Sequence, residues 1–203
     1  MMNKLFTPHN LADIQLKNRV VMAPMTRTRT LNDVADELVA LYYSQRASAG
    51  LIITEGLPVS EEGRGYLYTP GLYNEAQMHG WRKVTDAVHA KGGRIFAQLW
   101  HVGRMSHVSV LPENQAPVSS GTIPATNTTV FAYSDSGEPS AVTPSIPRAL
   151  ETEEVKRVTK DFVKSARLAI EAGFDGVEIH GANTYLLQQF FSPHSNRRTD
   201  KWG

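Results

Sequence analysis

The chain contains no cysteine. That excludes disulfides, thiolate nucleophiles and cysteine-ligated metals. Charge of either sign is not in excess: 21 Lys and Arg face 20 Asp and Glu, for a net charge of +1. Such a balance argues against nucleic acid or an acidic membrane surface as partner. Long hydrophobic runs are missing as well. Leu51-Ile52-Ile53 is far too short to span a bilayer. The N-terminal residues Met1 to Asn10 lack the apolar centre of a signal peptide. The expectation is a soluble, cytoplasmic chain that binds neither nucleic acid nor membrane.

What is present is an ordinary globular composition, 41% hydrophobic and 20% charged over 203 residues. This excludes a collagen, a disordered tail or a coiled coil. No linker or internal repeat divides the chain, so residues 1–203 read as one domain.

Strands and helices alternate. Arg19 to Thr26 holds a short apolar run stopped by Pro24, read as a buried strand and a loop. Asp36 to Ala49 reads as a helix with Leu38, Leu41, Tyr42 and Gln45 at helical spacing and Gly50 as its stop. Leu51 to Thr54 is a second strand, followed by Glu55-Gly56. Asn74 to Lys91 is a helix with Met78, Trp81, Val84 and Val88 in one apolar stripe. Arg94 to Trp100 is a third strand. Residues 101–150 are rich in Pro, Ser, Thr and Gly, too long for a plain loop, and read as an excursion with its own hairpin. Thr152 reads as the N-cap of a helix carrying Val155, Val158, Phe162, Ala166, Ala169 and Ile170 on one side. Val177 to Ile179 is the fourth strand. This order predicts an α/β fold with a parallel sheet. No Gly-x-Gly-x-x-Gly turn or P-loop is present, so a TIM (β/α)8 barrel is preferred over a doubly wound sheet. About four βα units are present, half of such a barrel. Half a sheet has open edges that something must cover.

In a barrel the chemistry sits at the C-terminal ends of the strands. Polar residues occur there every time: Thr26, Glu55, Gln98 with Trp100, then His180, Asn183 and Tyr185. If the chain turns helical after the fourth strand, His180 and Asn183 share a face. Two convergent donors suit a carbonyl oxygen gaining charge, and Tyr185 is a candidate proton donor. Spacing alone favours the plainer reading: a capped loop with Tyr185 in the core, Gln98 bonded to backbone, Thr26 as a cap or turn residue and Trp100 as core or pocket wall. His101 and His107 read as surface or loop histidines, since no third ligand supports a metal.

Several segments together carry a resemblance. They are Ala23-Pro24-Met25-Thr26-Arg27, Ile53-Thr54-Glu55-Gly56, Ala97-Gln98-Leu99-Trp100-His101-Val102-Gly103-Arg104 and His180-Gly181-Ala182-Asn183-Thr184-Tyr185-Leu186-Leu187-Gln188-Gln189-Phe190, running on through Ser192 to Asp200. Leu5 to Pro8 and Leu16 to Arg19 look like the matching opening hairpin. In this order the segments resemble the old yellow enzyme family of flavin-dependent ene-reductases. The resemblance implies a TIM barrel holding FMN, reduced by NAD(P)H, with activated alkenes (α,β-unsaturated carbonyl or nitro compounds) as small-molecule substrates. It implies that Pro24, Met25, Thr26, Gly56, Gln98 and His180 contact the flavin. It makes His180 and Asn183 the substrate's oxygen ligands, Trp100 a pocket wall and Tyr185 the proton donor. Thr184 stands where the family commonly has Gly, and Gln188 where Asp is common. Strands five to eight and the family's phosphate-binding region are not among these residues. The expectation is therefore a half barrel that self-associates or takes a second chain. A non-catalytic half barrel that oligomerises without flavin is the alternative.

Overall fold

The computed structural model describes residues 4–203. Met1 to Asn3, the head of the segment inspected for a signal peptide, lie outside them. A hairpin of β1 (His9–Leu11) and β2 (Ile14–Leu16) opens the fold. Its flanks are joined where the Arg19 N–H donates to the Leu5 carbonyl at 2.9 Å. Then follow β3 (Val21–Met22), α1 (Glu37–Ser44), β4 (Leu51–Pro58), α2 (Glu75–His89) and β5 (Ile95–Trp100). The segment after β5 contains β6 (Val118–Ser119), β7 (Val130–Tyr133), β8 (Pro139–Val142) and β9 (Arg148–Ala149). Here β7 and β8 form an antiparallel hairpin, and β6 lies parallel to β9. The chain continues through α3 (Thr152–Glu171), β10 (Gly176–Ile179) and α4 (Leu186–Phe191).

Four strands make one parallel sheet in the order β3, β4, β5, β10. It does not close into a barrel among the described residues. The core lies between this sheet and the helices, around Trp81, Val84, Val88, Ile52, Ile95 and Leu99. The register of β4 on β5 slips between Ile53 and Gly56. At the slip the Thr54 hydroxyl accepts the Gln98 N–H at 3.0 Å, replacing a ladder bond. Such a bulge re-aims the side chains beyond it, and Glu55, Gly56 and Gln98 follow.

The α2 stripe of Met78, Trp81, Val84 and Val88 is buried as its period predicts. Other expectations need correction. In α1 the buried residues are Val39, Ala40, Tyr43 and Ser44, while Leu38 and Leu41 are exposed. Tertiary packing has turned the helix by about one residue relative to its Leu spacing. The helix also stops at Ser44, because Arg46 and Ala47 N–H groups bond three residues back and tighten the chain into turns. Gly50 serves instead as a close crossing, where a Cβ would lie 2.0 Å from the Asn18 carbonyl oxygen. The first strand is an edge strand with Val21 exposed, not a buried one. In α3 the N-cap is Glu151 rather than Thr152, and the Glu151 N–H donates to the Glu154 carboxylate at 2.8 Å. The Thr152 hydroxyl donates to Asp200 instead. Ile170 points to solvent. No helix among the described residues is long and apolar enough to cross a membrane.

Candidate functional site

A cleft of about 550 Å³ opens at the C-terminal ends of the sheet strands. Pro24 and Thr26 line it after β3, Gln98 and Trp100 from β5, and Glu178 and Ile179 from β10. His180, Asn183 and Tyr185 complete it from the turn after β10. Seven of the nine residues nominated from sequence therefore share one cavity. The other two do not line it. Met25 faces a separate surface groove with Phe6 and Val20. Gly56 is buried beneath Trp100, and a Cβ there would lie 2.4 Å from the indole Cε3. The missing side chain at Gly56 is thus the room in which Trp100 sits.

The turn after β10 is not helical. Asn183 and Thr184 both take left-handed backbone, with φ of 54° and 64°, so His180 and Asn183 reach the cleft through a tight turn rather than along a helix face. Left-handed backbone suits Asn but strains a β-branched Thr. Gln188 supports it, since its side-chain carbonyl accepts the Thr184 N–H at 2.6 Å.

Trp100 is the floor of the site. Its ring stacks on Tyr66 at 5.5 Å and lies nearly parallel to His180 at 6.2 Å. Tyr185 stands edge-on to it at 4.8 Å. The Trp100 indole N–H is buried with no partner among the described residues. The Gln98 amide donates to Glu178 at 2.7 Å. His180 Nδ1 accepts the Ala182 N–H at 3.4 Å, which leaves Nε2 as the protonated, donating nitrogen. Burial holds the His180 imidazole below its usual pKa, so it is neutral at pH 7. Burial pushes the Tyr185 phenol well above the ordinary tyrosine range, so it keeps its proton. The site is a set of neutral hydrogen-bonding groups around one carboxylate, Glu178.

Sequence reasoning missed three residues here. Glu178 interrupts an apolar strand, the same signal that singled out Gln98. Tyr66 lies between closely spaced glycines with no periodic pattern, and its hydroxyl is 3.2 Å from that of Tyr185. Gln189 is buried and ties the site together. Its side-chain carbonyl accepts from the Arg104 N–H at 3.1 Å and the Ser119 hydroxyl at 2.8 Å. Its amide donates to the Val102 and Thr184 carbonyls at 3.0 and 2.7 Å. His101, read from sequence as a surface or loop histidine, is fully buried because α4 and the loop at Gly63 close over it. No cluster of His, Asp and Glu among the described residues could hold a metal.

Comparison with known proteins adds what geometry does not. Residues 4–203 match the profile of the NADH:flavin oxidoreductase / NADH oxidase family. The chain is 46% identical over 200 residues to 12-oxophytodienoate reductase 1 of Oryza sativa subsp. japonica, covering 98% of this chain and 50% of that protein. It is 42% identical to 12-oxophytodienoate reductase 2 of Arabidopsis thaliana, covering 98% of this chain and 52% of the relative. Among solved structures, morphinone reductase in complex with tetrahydroNAD superposes with a TM-score of 0.96 at 49% identity, covering 99% of this chain and 55% of that one. The old yellow enzyme homologue from Zymomonas mobilis gives 0.92 at 42% identity, covering 99% and 55%. The chain thus spans about half the length of the relatives it matches. With its sequence matched to the family profile from residue 4 to residue 203, the chain belongs to the NADH:flavin oxidoreductase / NADH oxidase family, the old yellow enzyme family.

Proposed function

We propose that this chain supplies the first half of an FMN-dependent ene-reductase site, which takes reducing equivalents from NAD(P)H and reduces activated alkenes. The observation that carries the reading is the convergence of His180, Asn183 and Tyr185 on one cleft with Thr26 and Gln98. The residues fit the ring of a flavin. The unpartnered Trp100 N–H, the Thr26 hydroxyl and the Gln98 amide offer neutral donors and acceptors to a heterocyclic edge. No Lys or Arg lines the cleft among the described residues, so the flavin phosphate would be held elsewhere. A bound flavin would supply the hydride.

The protein side chains then have distinct roles. His180 and Asn183 hold the carbonyl or nitro oxygen of the alkene and favour charge accumulating there. The Tyr185 phenol, protonated at all working pH values, gives its proton to the α-carbon. Trp100 shapes the wall on which the alkene lies. Dependence on NAD(P)H favours the cytoplasm as the location.

We further infer that the sheet is the first half of an eight-stranded barrel. Both outer strands leave apolar residues in water, Val21 at 47% and Ile179 at 56% exposure. Beside Ile179 lies an apolar groove of about 510 Å³ with Phe162, Leu187 and Phe191. At the other edge Leu38 and Leu41 of α1 are bare. Such edges call for neighbouring strands and helices, from a longer chain, a second chain or a second copy.

The test is FMN titration of the purified chain across a size-exclusion peak, followed by Tyr185→Phe. Protein-bound flavin, together with slowed alkene reduction and intact flavin reduction by NAD(P)H, is expected. A colourless oligomer that ignores FMN, with or without the remaining strands supplied, overturns the reading in favour of a non-catalytic half barrel. Equal loss in both half-reactions removes Tyr185 as proton donor.

A further inference from the structure

We propose that Gln188 is a positioning residue for the turn that carries Asn183 and Tyr185, holding Thr184 in a backbone conformation that threonine does not keep unaided, a proposal that rests on the reading of Asn183 as oxygen ligand and Tyr185 as proton donor. The Tyr185 N–H donates to the Ala182 carbonyl at 3.2 Å. Both residues between them are left-handed, Asn183 at φ 54° and Thr184 at φ 64°. The closing bond and the two positive φ values are those of a type I′ turn. Asn suits the first central position of such a turn. The second is a place for glycine, because a β-branched residue is strained there. Thr184 occupies it all the same.

The strained residue is gripped on both sides. Before it, the Thr184 N–H donates to the Gln188 side-chain carbonyl at 2.6 Å. After it, the Thr184 carbonyl accepts the Gln189 side-chain amide at 2.7 Å. Peptide groups are planar, so fixing the two planes that flank a residue fixes its φ and ψ. Asn183 stands beyond the first plane and Tyr185 beyond the second. The two bonds therefore set the direction of one functional side chain against the other. Asn183 and Thr184 are exposed, so hydrogen bonds rather than packing hold the turn. The clamp has its own anchor, since the Leu186 N–H of α4 donates to the His101 carbonyl at 3.0 Å. Gln189 serves several partners, but the Gln188 side chain makes this one hydrogen bond among the described residues. Gln188 does not line the cleft, so it acts on the site only through the turn.

Gln188→Leu keeps the bulk of the side chain and removes the acceptor, whereas Gln188→Glu keeps an oxygen at the same reach. The first readout needs no flavin. In the isotope-labelled chain, NMR follows the Thr184 HN–Hα coupling, which reads φ, and the solvent exchange of the Thr184 amide. It also follows the Tyr185 ring resonances, which the edge-on contact with Trp100 at 4.8 Å shifts. Gln188→Leu is expected to speed the exchange about tenfold, the worth of one hydrogen bond, to change the coupling and to displace the Tyr185 resonances. Gln188→Glu keeps all three at their parent values. Adding Thr184→Gly to Gln188→Leu returns the Tyr185 resonances to their parent positions, because glycine takes the turn unaided. Tyr185 resonances that stay in place in Gln188→Leu overturn the proposal, and so do resonances that glycine fails to restore. In the flavin-loaded assembly Gln188→Leu is expected to slow alkene reduction about fivefold, and Gln188→Glu or the added glycine to hold it within about twofold of the parent. A loss of rate that neither change recovers marks a general structural role and also overturns it. Tyr185→Phe separates the two ideas. If it leaves alkene reduction unaffected, the donor assignment fails, and the resonances still decide whether Gln188 holds the turn. If it slows the reaction while Gln188→Leu does not, only Gln188 is removed.

Discussion

Lowering the pH from 6.5 should destabilise this chain, with a large and separable share from His101. The ring is fully buried, and burial depresses its pKa from 6.5 to about 3. Its Nδ1 accepts the Gly103 N–H at 3.1 Å, and its Nε2 has no partner among the described residues. A proton added at Nδ1 would break the only side-chain bond the ring makes there and leave a cation without a counter-charge. In the unfolded chain His101 takes up its proton as pH falls through 6.5, whereas the folded chain resists until about 3. Across that window the unfolded state binds more protons, so stability is fully present above the unfolded pKa and falls as pH falls. Integrated from pH 6.5 to about 4.5, the loss is about 2 kcal/mol. Keeping above that pH leaves out carboxylates such as Glu154, held down to about 2 by Arg148. The assay is urea unfolding followed by circular dichroism at several pH values, for the parent chain and His101→Asn. Asn retains an acceptor for the Gly103 N–H and cannot titrate. The variant's stability should vary by about 2 kcal/mol less over the window. Equal falls in both proteins would refute the argument. The half-buried His180, also held below its usual value, contributes equally to both and cancels.

Gly56→Ala would drive a methyl into the Trp100 indole, within 2.6 Å of two ring carbons. It should cost about 1–3 kcal/mol in thermal unfolding and shift the tryptophan fluorescence. Gln189→Met keeps volume and deletes four side-chain hydrogen bonds. The Ser119 hydroxyl can turn away and the Thr184 carbonyl can meet water, which leaves the Val102 carbonyl and Arg104 N–H stranded. The expected loss is about 2–4 kcal/mol, and a loss under about 0.5 kcal/mol in denaturant unfolding would show that the network is not needed. Thr184→Gly relieves a φ of 64° and should stabilise the chain by up to about 1 kcal/mol, read as a rise in melting temperature.

The alternation of strands and helices is legible in the sequence because each βα unit carries its own local signals. Asp36 and Asn74 accept N–H bonds at the starts of α1 and α2, and the α2 stripe has a clean period. The face of α1 is not legible, because Leu38 and Leu41 are as apolar as the residues that pack, and only tertiary neighbours decide between them. The polar residues at strand ends form a readable pattern, and seven of the nominated residues do meet in one cleft. The Tyr66–Tyr185 contact escapes such reading, because it joins residues 119 apart through a loop with no regular structure. So does the burial of His101, which depends on α4 returning across β5. The Leu186 N–H donates to the His101 carbonyl at 3.0 Å, a contact that no local pattern announces.

The bonds made by Gln189 have a kinetic meaning. They join it to Val102, Ser119 and Ser120 across 87, 70 and 69 residues of chain, whereas β4 and β5 pair through a single intervening helix. Closing long loops before any contact rewards them slows assembly. The sheet and α2 can therefore condense early, and the wall carrying His180, Asn183 and Tyr185 is added last. A unit added last is also the one that opens first under native conditions. Amides of residues 182–192 should exchange hydrogen well before those of β4 and β5, and the cleft can come apart while the layer beneath it stays folded.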